Sequence, residues 1–132
     1  MRSRVGAGLL AGAALLATTS RAHDPPPAAG VDFARDVEPI FQTRCIRCHG
    51  PDRQEKGLRL DSWAAALRGG EEGPVIRPGR SADSPLVQRL LGRIEPRMPY
   101  QDAPLPPELV ASIRAWIDAG APGPESCEDR TR

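Results

Sequence analysis

The sequence is poor in aromatic residues, methionine, histidine and lysine. Two Phe, one Tyr and two Trp among 132 residues give little bulk for a core built from protein alone, so a buried non-protein group is favoured. No apolar run reaches the roughly 20 residues that a membrane-spanning helix needs. Beyond residue 22 the chain has 15 basic and 17 acidic residues, which argues against a nucleic-acid partner.

The amino terminus has the pattern of a cleaved secretion signal. Arg2 and Arg4 precede a 13-residue apolar run, and small residues follow it as far as Ala22, where we predict cleavage. Retention of this segment as an anchor is the alternative. The prediction implies export to the periplasm or another extracytoplasmic space, with no transmembrane segment after cleavage. We divide the chain into a signal peptide (1–22), a Pro-rich linker (23–30), one domain (31–121) and a polar tail (122–132).

Residues 45–49 read Cys-Ile-Arg-Cys-His, which is the C-x-x-C-H pattern of haem attachment. Cysteines three residues apart on a helical turn place their sulfur atoms on one side, where both can form thioethers with the vinyl groups of one haem. The next residue, His49, is then held against the iron as a neutral imidazole ligand. The motif therefore predicts one covalent haem c, attached through Cys45 and Cys48, with His49 as the proximal iron ligand.

Other chemistry for these cysteines is less well supported. A Cys45–Cys48 disulfide or a thioredoxin-like redox pair expects a preceding strand, and none is indicated. A zinc site needs two more ligands, and only His23 and Cys127 remain, both in predicted tails. Cys127 is either an idle thiol or a link between chains.

Met98 is the predicted distal iron ligand. It is the only thioether left once Met1 is removed with the signal peptide, and it lies 49 residues after His49. Its surroundings are polar and Pro-rich, which favours ligation over core filling. His23 has no element to position it, and binding of Lys56 would require a costly deprotonation.

The apolar periodicity predicts four helices and no strands. Trp63 either fills the core or donates a hydrogen bond to a haem propionate, whereas Trp116 is expected at the contact between the last helix and the first. We expect a carbonyl near Pro74 to accept a hydrogen bond from His49. The first predicted helix is capped by Asp36 and runs to Cys48, and the second is Ser62–Leu67, capped by Asp61. The third is Pro85–Leu91, capped by Ser84, with an inner face of Leu86, Val87, Leu90 and Leu91. The last begins at Pro106-Pro107 and ends at Gly120.

This order of parts resembles the class I cytochrome c fold and, more closely, the planctomycete-type cytochrome c domain. The resemblance implies an all-α, cytochrome c-like small helical domain wrapped around one covalent haem. Tyr100 departs from the pattern, since that family commonly has a second proline there. The stretches that carry the resemblance are 37–41, 45–50, 56–61, 76–79, 97–99 and 116–121.

We expect an electron carrier that exchanges single electrons with redox partner proteins, rather than an enzyme. Histidine and thioether ligation fills both axial positions and favours the ferrous state. Two alternatives remain open. In one, Met98 dissociates and the iron acts as a catalytic centre or as a gas or redox sensor. In the other, the chain is a haem module of a larger redox complex.

Overall fold

The computed structural model describes residues 30–124, together with Gly6, Gly8 and Gly12. The predicted signal peptide, His23 and Cys127 lie outside this range, so the four-part division of the chain stays a prediction. Within the described residues the structure is helical, without a strand, and no helix there is long and apolar enough to span a membrane. The helical elements are a π-helical turn (Phe33–Val37), α1 (Glu38–Arg44), a 3₁₀ turn (Glu55–Gly57), α2 (Trp63–Arg68), a 3₁₀ turn (Ser81–Asp83), α3 (Pro85–Leu90) and α4 (Pro107–Asp118).

The first helical segment begins earlier than the sequence predicts. Asp32, not Asp36, caps it by accepting a hydrogen bond from the backbone N–H of Arg35 at 2.8 Å. Asp36 instead forms an ion pair with Arg35 at 2.6 Å, and this hydrogen-bonded partner lowers the pKa of Asp36 to about 2. The early start buries Phe33 and Val37 in the core, and that burial outweighs the capping signal of Asp36.

Helix α2 starts at a different cap from the predicted one. The hydroxyl of Ser62 accepts a hydrogen bond from the N–H of Ala65 at 3.2 Å, as an N-cap does. The predicted cap, Asp61, pairs with Arg59 at 2.7 Å. Because that ion pair occupies both of its oxygens, Asp61 is not free to cap the helix.

Helix α3 begins at Pro85 as predicted, but Ser84 does not cap it with its side chain. The fully buried Ser84 hydroxyl donates to the carbonyl of Arg80 and accepts from the N–H of Arg77, each at 2.9 Å. Ser84 therefore fastens the preceding loop. The predicted inner face is correct except for Leu91, which follows the last helical residue and is 39% exposed.

Helix α4 packs against the first helical segment through three aromatic rings, as the sequence predicts for Trp116. The Trp116 ring lies 5.3 Å from that of Phe33 and 6.4 Å from that of Phe41, between centroids. All three side chains are buried. This contact fixes the end of α1 against α4.

Both indole N–H groups hold the segment that follows α4. Trp63 donates to the carbonyl of Ala121 at 3.0 Å, and Trp116 donates to that of Pro122 at 2.9 Å. Of the two roles considered for Trp63, the structure therefore supports the structural one. The indole is not available to a propionate while this hydrogen bond is made.

We predict that Ser84→Ala lowers the free energy of unfolding by about 1–3 kcal/mol, because the two part-buried hydrogen bonds of its hydroxyl are lost and each such bond contributes about 0.5–1.5 kcal/mol. Chemical denaturation of the purified protein measures this. The control is Ser112→Ala, because the hydroxyl of Ser112 donates a hydrogen bond only to the carbonyl of Glu108 in the same helix. Ser84→Asp, which would preserve a simple helix cap, should be as damaging as alanine; wild-type stability in that variant would contradict the loop-fastening role.

Candidate haem site

The C-x-x-C-H segment forms a compact turn directly after α1. The N–H groups of Cys45 and Ile46 both donate to the carbonyl of Phe41, at 2.9 and 3.1 Å, which ends the regular helix. The N–H groups of Cys48 and His49 then donate to the carbonyl of Cys45, at 3.1 and 2.9 Å. The predicted helix, which extends to Cys48, is therefore too long. The turn nevertheless connects both cysteines and the histidine through consecutive backbone hydrogen bonds.

Backbone hydrogen bonds from the following loop hold this turn. Glu55 N–H donates to the carbonyl of Cys48 at 2.9 Å, and Leu60 N–H donates to that of His49 at 2.7 Å. Gly50 is buried, and a Cβ at this position would overlap the carbonyl oxygen of Ile46. A glycine is therefore required for the turn to close this tightly.

The two cysteines are free thiols and are partly buried. Cys45 packs against the hydrophobic core. Burial raises its pKa to about 11, so at neutral pH it is a thiol rather than a thiolate. Both sulfur atoms remain available for a covalent bond to another group.

The His49 imidazole has one buried nitrogen without a partner. Nδ1 is inaccessible to solvent and makes no hydrogen bond. Nε2 does not share this state of being both buried and unpaired. Burial lowers the pKa of the ring, and the nearby carbonyls of Glu55 and Leu58 oppose this effect. The neutral imidazole that results is the form that ligates iron.

The carbonyls beside the His49 ring differ from the one predicted. The sequence pointed to Pro74, but Glu55 and Leu58 are the residues whose backbone oxygens influence the imidazole. They reach the ring because the loop after the motif folds back, with an antiparallel bridge between His49 and Gln54.

Met98 lies on a separate loop that is tied to α3. Its N–H donates to the carbonyl of Arg89 at 3.0 Å. The Arg89 guanidinium in turn donates to the carbonyls of Glu95 and Pro96, at 2.6 and 3.3 Å. Met98 is partly buried against the same hydrophobic core as Cys45. The segments proposed for the two sides of the iron therefore pack on one core.

Arg97 is the second residue with an unsatisfied buried group. Its Nη2 donates to the carbonyl of Asp102 at 2.8 Å, whereas Nη1 is buried without a partner. It also lines a cavity of about 400 Å³ between α3, α4 and the Met98 loop. That cavity does not reach the C-x-x-C-H turn, so by itself it does not outline a haem.

Sequence reasoning missed Arg89 as a residue of the site. Arg89 looks like an ordinary helix residue, and only the folded loop reveals its two carbonyl contacts. Arg97 had a signal in its position immediately before Met98. These two arginines fix the loop on either side of the methionine.

The residues present fit a haem. Two free thiols lie one turn apart, a neutral imidazole follows them, and a thioether is held on another loop. In the part of the chain that the structure describes, the only buried side-chain nitrogen atoms without partners belong to His49 and Arg97. The donor types present are those of a covalent haem with histidine and thioether axial ligands.

Cysteine thioethers with an adjacent histidine ligand define the c-type cytochromes, and the C-x-x-C-H turn of this helical protein has the residue types of that class. Within that class, the family model of planctomycete cytochrome c matches residues 45–102. This stretch belongs to that family, which confirms the resemblance seen in the sequence. Members of the family carry covalently bound haem c.

One solved structure similar to this chain is that of hydrazine synthase from Kuenenia stuttgartiensis. The similarity has 26% sequence identity and a TM-score of 0.44, and it covers 73% of this chain. It covers 17% of the hydrazine synthase chain. Comparison with curated proteins gives no match.

We predict that Gly50→Ala destabilises the protein by about 1–3 kcal/mol, the usual cost of inserting a methyl group where there is no room. Denaturant unfolding of the purified protein measures this, and the fraction of chains carrying haem should fall as well. Arg47→Ala is the control, since Arg47 is exposed on the same turn. Equal stability of the two variants would show that the turn tolerates a Cβ.

Proposed function

We propose that this chain is an exported monohaem c-type cytochrome that transfers single electrons. Cys45 and Cys48 attach the haem, His49 is the proximal iron ligand and Met98 is the distal one. The haem, when bound, supplies the ferric–ferrous couple. The observation that carries the proposal is the C-x-x-C-H turn, in which two free thiols and a neutral imidazole are held by backbone hydrogen bonds.

The fastening of the Met98 loop favours an electron carrier over a catalyst. Catalysis or gas binding at the iron requires the distal ligand to leave. Here the backbone of Met98 is bonded to Arg89, and Arg89 also holds the two residues at the start of the loop. A ligand fixed in this way stays in place in both oxidation states, which keeps the reorganisation on electron transfer small.

Export follows from the amino-terminal signal pattern and from the chemistry of the site. Redox partner proteins are the expected partners, and nucleic acid is not. With a net charge of about −2 after the predicted cleavage, long-range electrostatic steering contributes little to partner association. Docking then depends on short-range contacts, and the rate of electron exchange should change little with salt.

We predict that the protein, secreted by a host that matures c-type cytochromes, carries the mass of one haem. Intact-mass spectrometry and a haem-stained denaturing gel measure this, because a covalent haem survives denaturation. Cys45→Ser with Cys48→Ser should abolish the stain. The matched control is Cys127→Ser, which should leave it unchanged. An unmodified wild-type mass would contradict the proposal, and a mass of more than one haem would contradict its stoichiometry.

We predict that Met98→Leu keeps the covalent haem but loses the sulfur-to-iron charge-transfer band of the oxidised protein. Leucine nearly conserves the side-chain volume, so the change removes the thioether and little else. The reduction potential should fall, since thioether ligation favours the ferrous state. The visible absorption spectrum and a redox titration measure the two effects.

The matched control for this test is Arg93→Gln, on the exposed surface before the same loop. It should retain both the band and the potential. If the wild type lacks the band, or if Met98→Leu retains it, Met98 is not the distal ligand. Rapid binding of carbon monoxide or cyanide by the wild type would then favour a catalytic or sensing role.

A further inference from the structure

We propose that Arg89 is a positioning residue that keeps the distal position of the iron closed to outside ligands. It acts through Met98, whose loop it holds, and not at the iron itself. This inference rests on the proposed function, because it assumes that Met98 is the distal ligand. It goes further by naming the residue that decides whether small ligands reach the iron.

Arg89 contacts the Met98 loop through both its backbone and its side chain. Its carbonyl accepts a hydrogen bond from the N–H of Met98 at 3.0 Å. Its Nη1 donates to the carbonyls of Glu95 and Pro96, at 2.6 and 3.3 Å. The three hydrogen bonds reach residues 95–98, so one residue of α3 fixes the loop both before and at the proposed ligand.

Hydrogen bonds attach the Met98 loop to the rest of the described structure only through Arg89. The other hydrogen bonds of residues 94–102 join members of the loop to one another or to the adjoining Ala103. Met98 also packs against the hydrophobic core. Without the Arg89 side chain, the loop would therefore be held only by the Met98 amide and by apolar packing.

The guanidinium of Arg89 is directed at the loop carbonyls rather than at a carboxylate. Its ion pair with Glu72 has a distance of 4.0 Å, and the Glu72 side chain is 74% exposed, so that pair contributes little. The Arg89 side chain is only 28% exposed. Hydrogen bonds from a cation are stronger than those between neutral groups, so the two carbonyl contacts are the main interactions of this side chain.

Arg97 holds the same loop in a different way. Its Nη2 donates to the carbonyl of Asp102 at 2.8 Å, and its backbone N–H donates to the carboxylate of Glu95 at 3.1 Å. Both partners belong to the loop. These bonds fix the shape of the loop but do not attach it to a helix, whereas those of Arg89 attach it to α3.

Arg89→Gln tests the proposal in the haem-loaded protein. Glutamine is too short to reach the two carbonyls and carries no charge. Loss of hydrogen bonds from a charged group should make opening of the loop about 10–100-fold more frequent. Cyanide binding by the oxidised protein should become faster by the same factor, because cyanide enters only when Met98 has left. Stopped-flow absorption measures this rate.

A second measurement follows the loop without an added ligand. The Met98 amide is bonded to the carbonyl of Arg89, so its hydrogen exchange reports opening of the loop. In the reduced protein, NMR should show faster exchange of this amide in Arg89→Gln than in the wild type.

Two control variants separate opening of the loop from other effects. Ser84→Ala removes two hydrogen bonds of the segment before α3, so it lowers overall stability without changing the Met98 loop. Glu72→Gln removes the carboxylate that pairs with Arg89. Both variants should bind cyanide at nearly the wild-type rate.

Arg89→Lys tests whether the charge alone is enough. A lysine keeps the positive charge but has a shorter stem and lacks the planar fork of a guanidinium. The rate of cyanide binding should therefore lie between those of the wild type and of Arg89→Gln.

The outcomes separate this inference from the proposed function. If Arg89→Gln keeps its haem and binds cyanide no faster than the wild type, the inference is wrong and the proposed function stands. It is also wrong if Ser84→Ala accelerates cyanide binding equally, or if only Arg89→Lys retains haem and its rate is unchanged. A wild type without haem, or without the sulfur-to-iron charge-transfer band, would overturn the proposed function and this inference together.

Discussion

The packing of Trp116 against Phe33 and Phe41 is the contact on which the rest of the site depends. It joins α4 to the first helical segment, and the carbonyl of Phe41 then receives the two N–H groups that end α1. The C-x-x-C-H turn begins at that point. Because three aromatic rings fix the end of α1, the direction of the turn is set by the core and not by the motif itself.

The two proposed sides of the iron are stabilised in different ways. On the proximal side, backbone hydrogen bonds from Glu55 and Leu60 hold Cys48 and His49. On the distal side, arginine side chains hold the loop that carries Met98 by donating hydrogen bonds to backbone carbonyls. The proximal ligand is thus part of a continuous turn, whereas the distal ligand depends on contacts distant in sequence. Changes in α3 should therefore affect the distal ligand first.

Much of the architecture could be predicted from sequence, and the errors have identifiable causes. Helices α3 and α4 were placed correctly because proline marks their first turns and the apolar residues recur at helical spacing. The caps at Asp36 and Asp61 were wrong because each aspartate pairs with a neighbouring arginine. The extension of the first helix through Cys48 was wrong because two amides share the carbonyl of Phe41. Neither the ion pairs nor the shared carbonyl leaves a periodic pattern in the sequence.

The sequence alone determined the helical class, the haem-attachment motif and the residue types able to ligate iron. These follow from spacing within a few residues and from the scarcity of histidine and methionine, which leaves few candidates. Only the tertiary structure decided which carbonyls lie beside His49, how the Met98 loop is held and that Arg97 keeps a buried donor without a partner. Those facts depend on contacts between residues far apart in the chain, whose pairing no local pattern encodes.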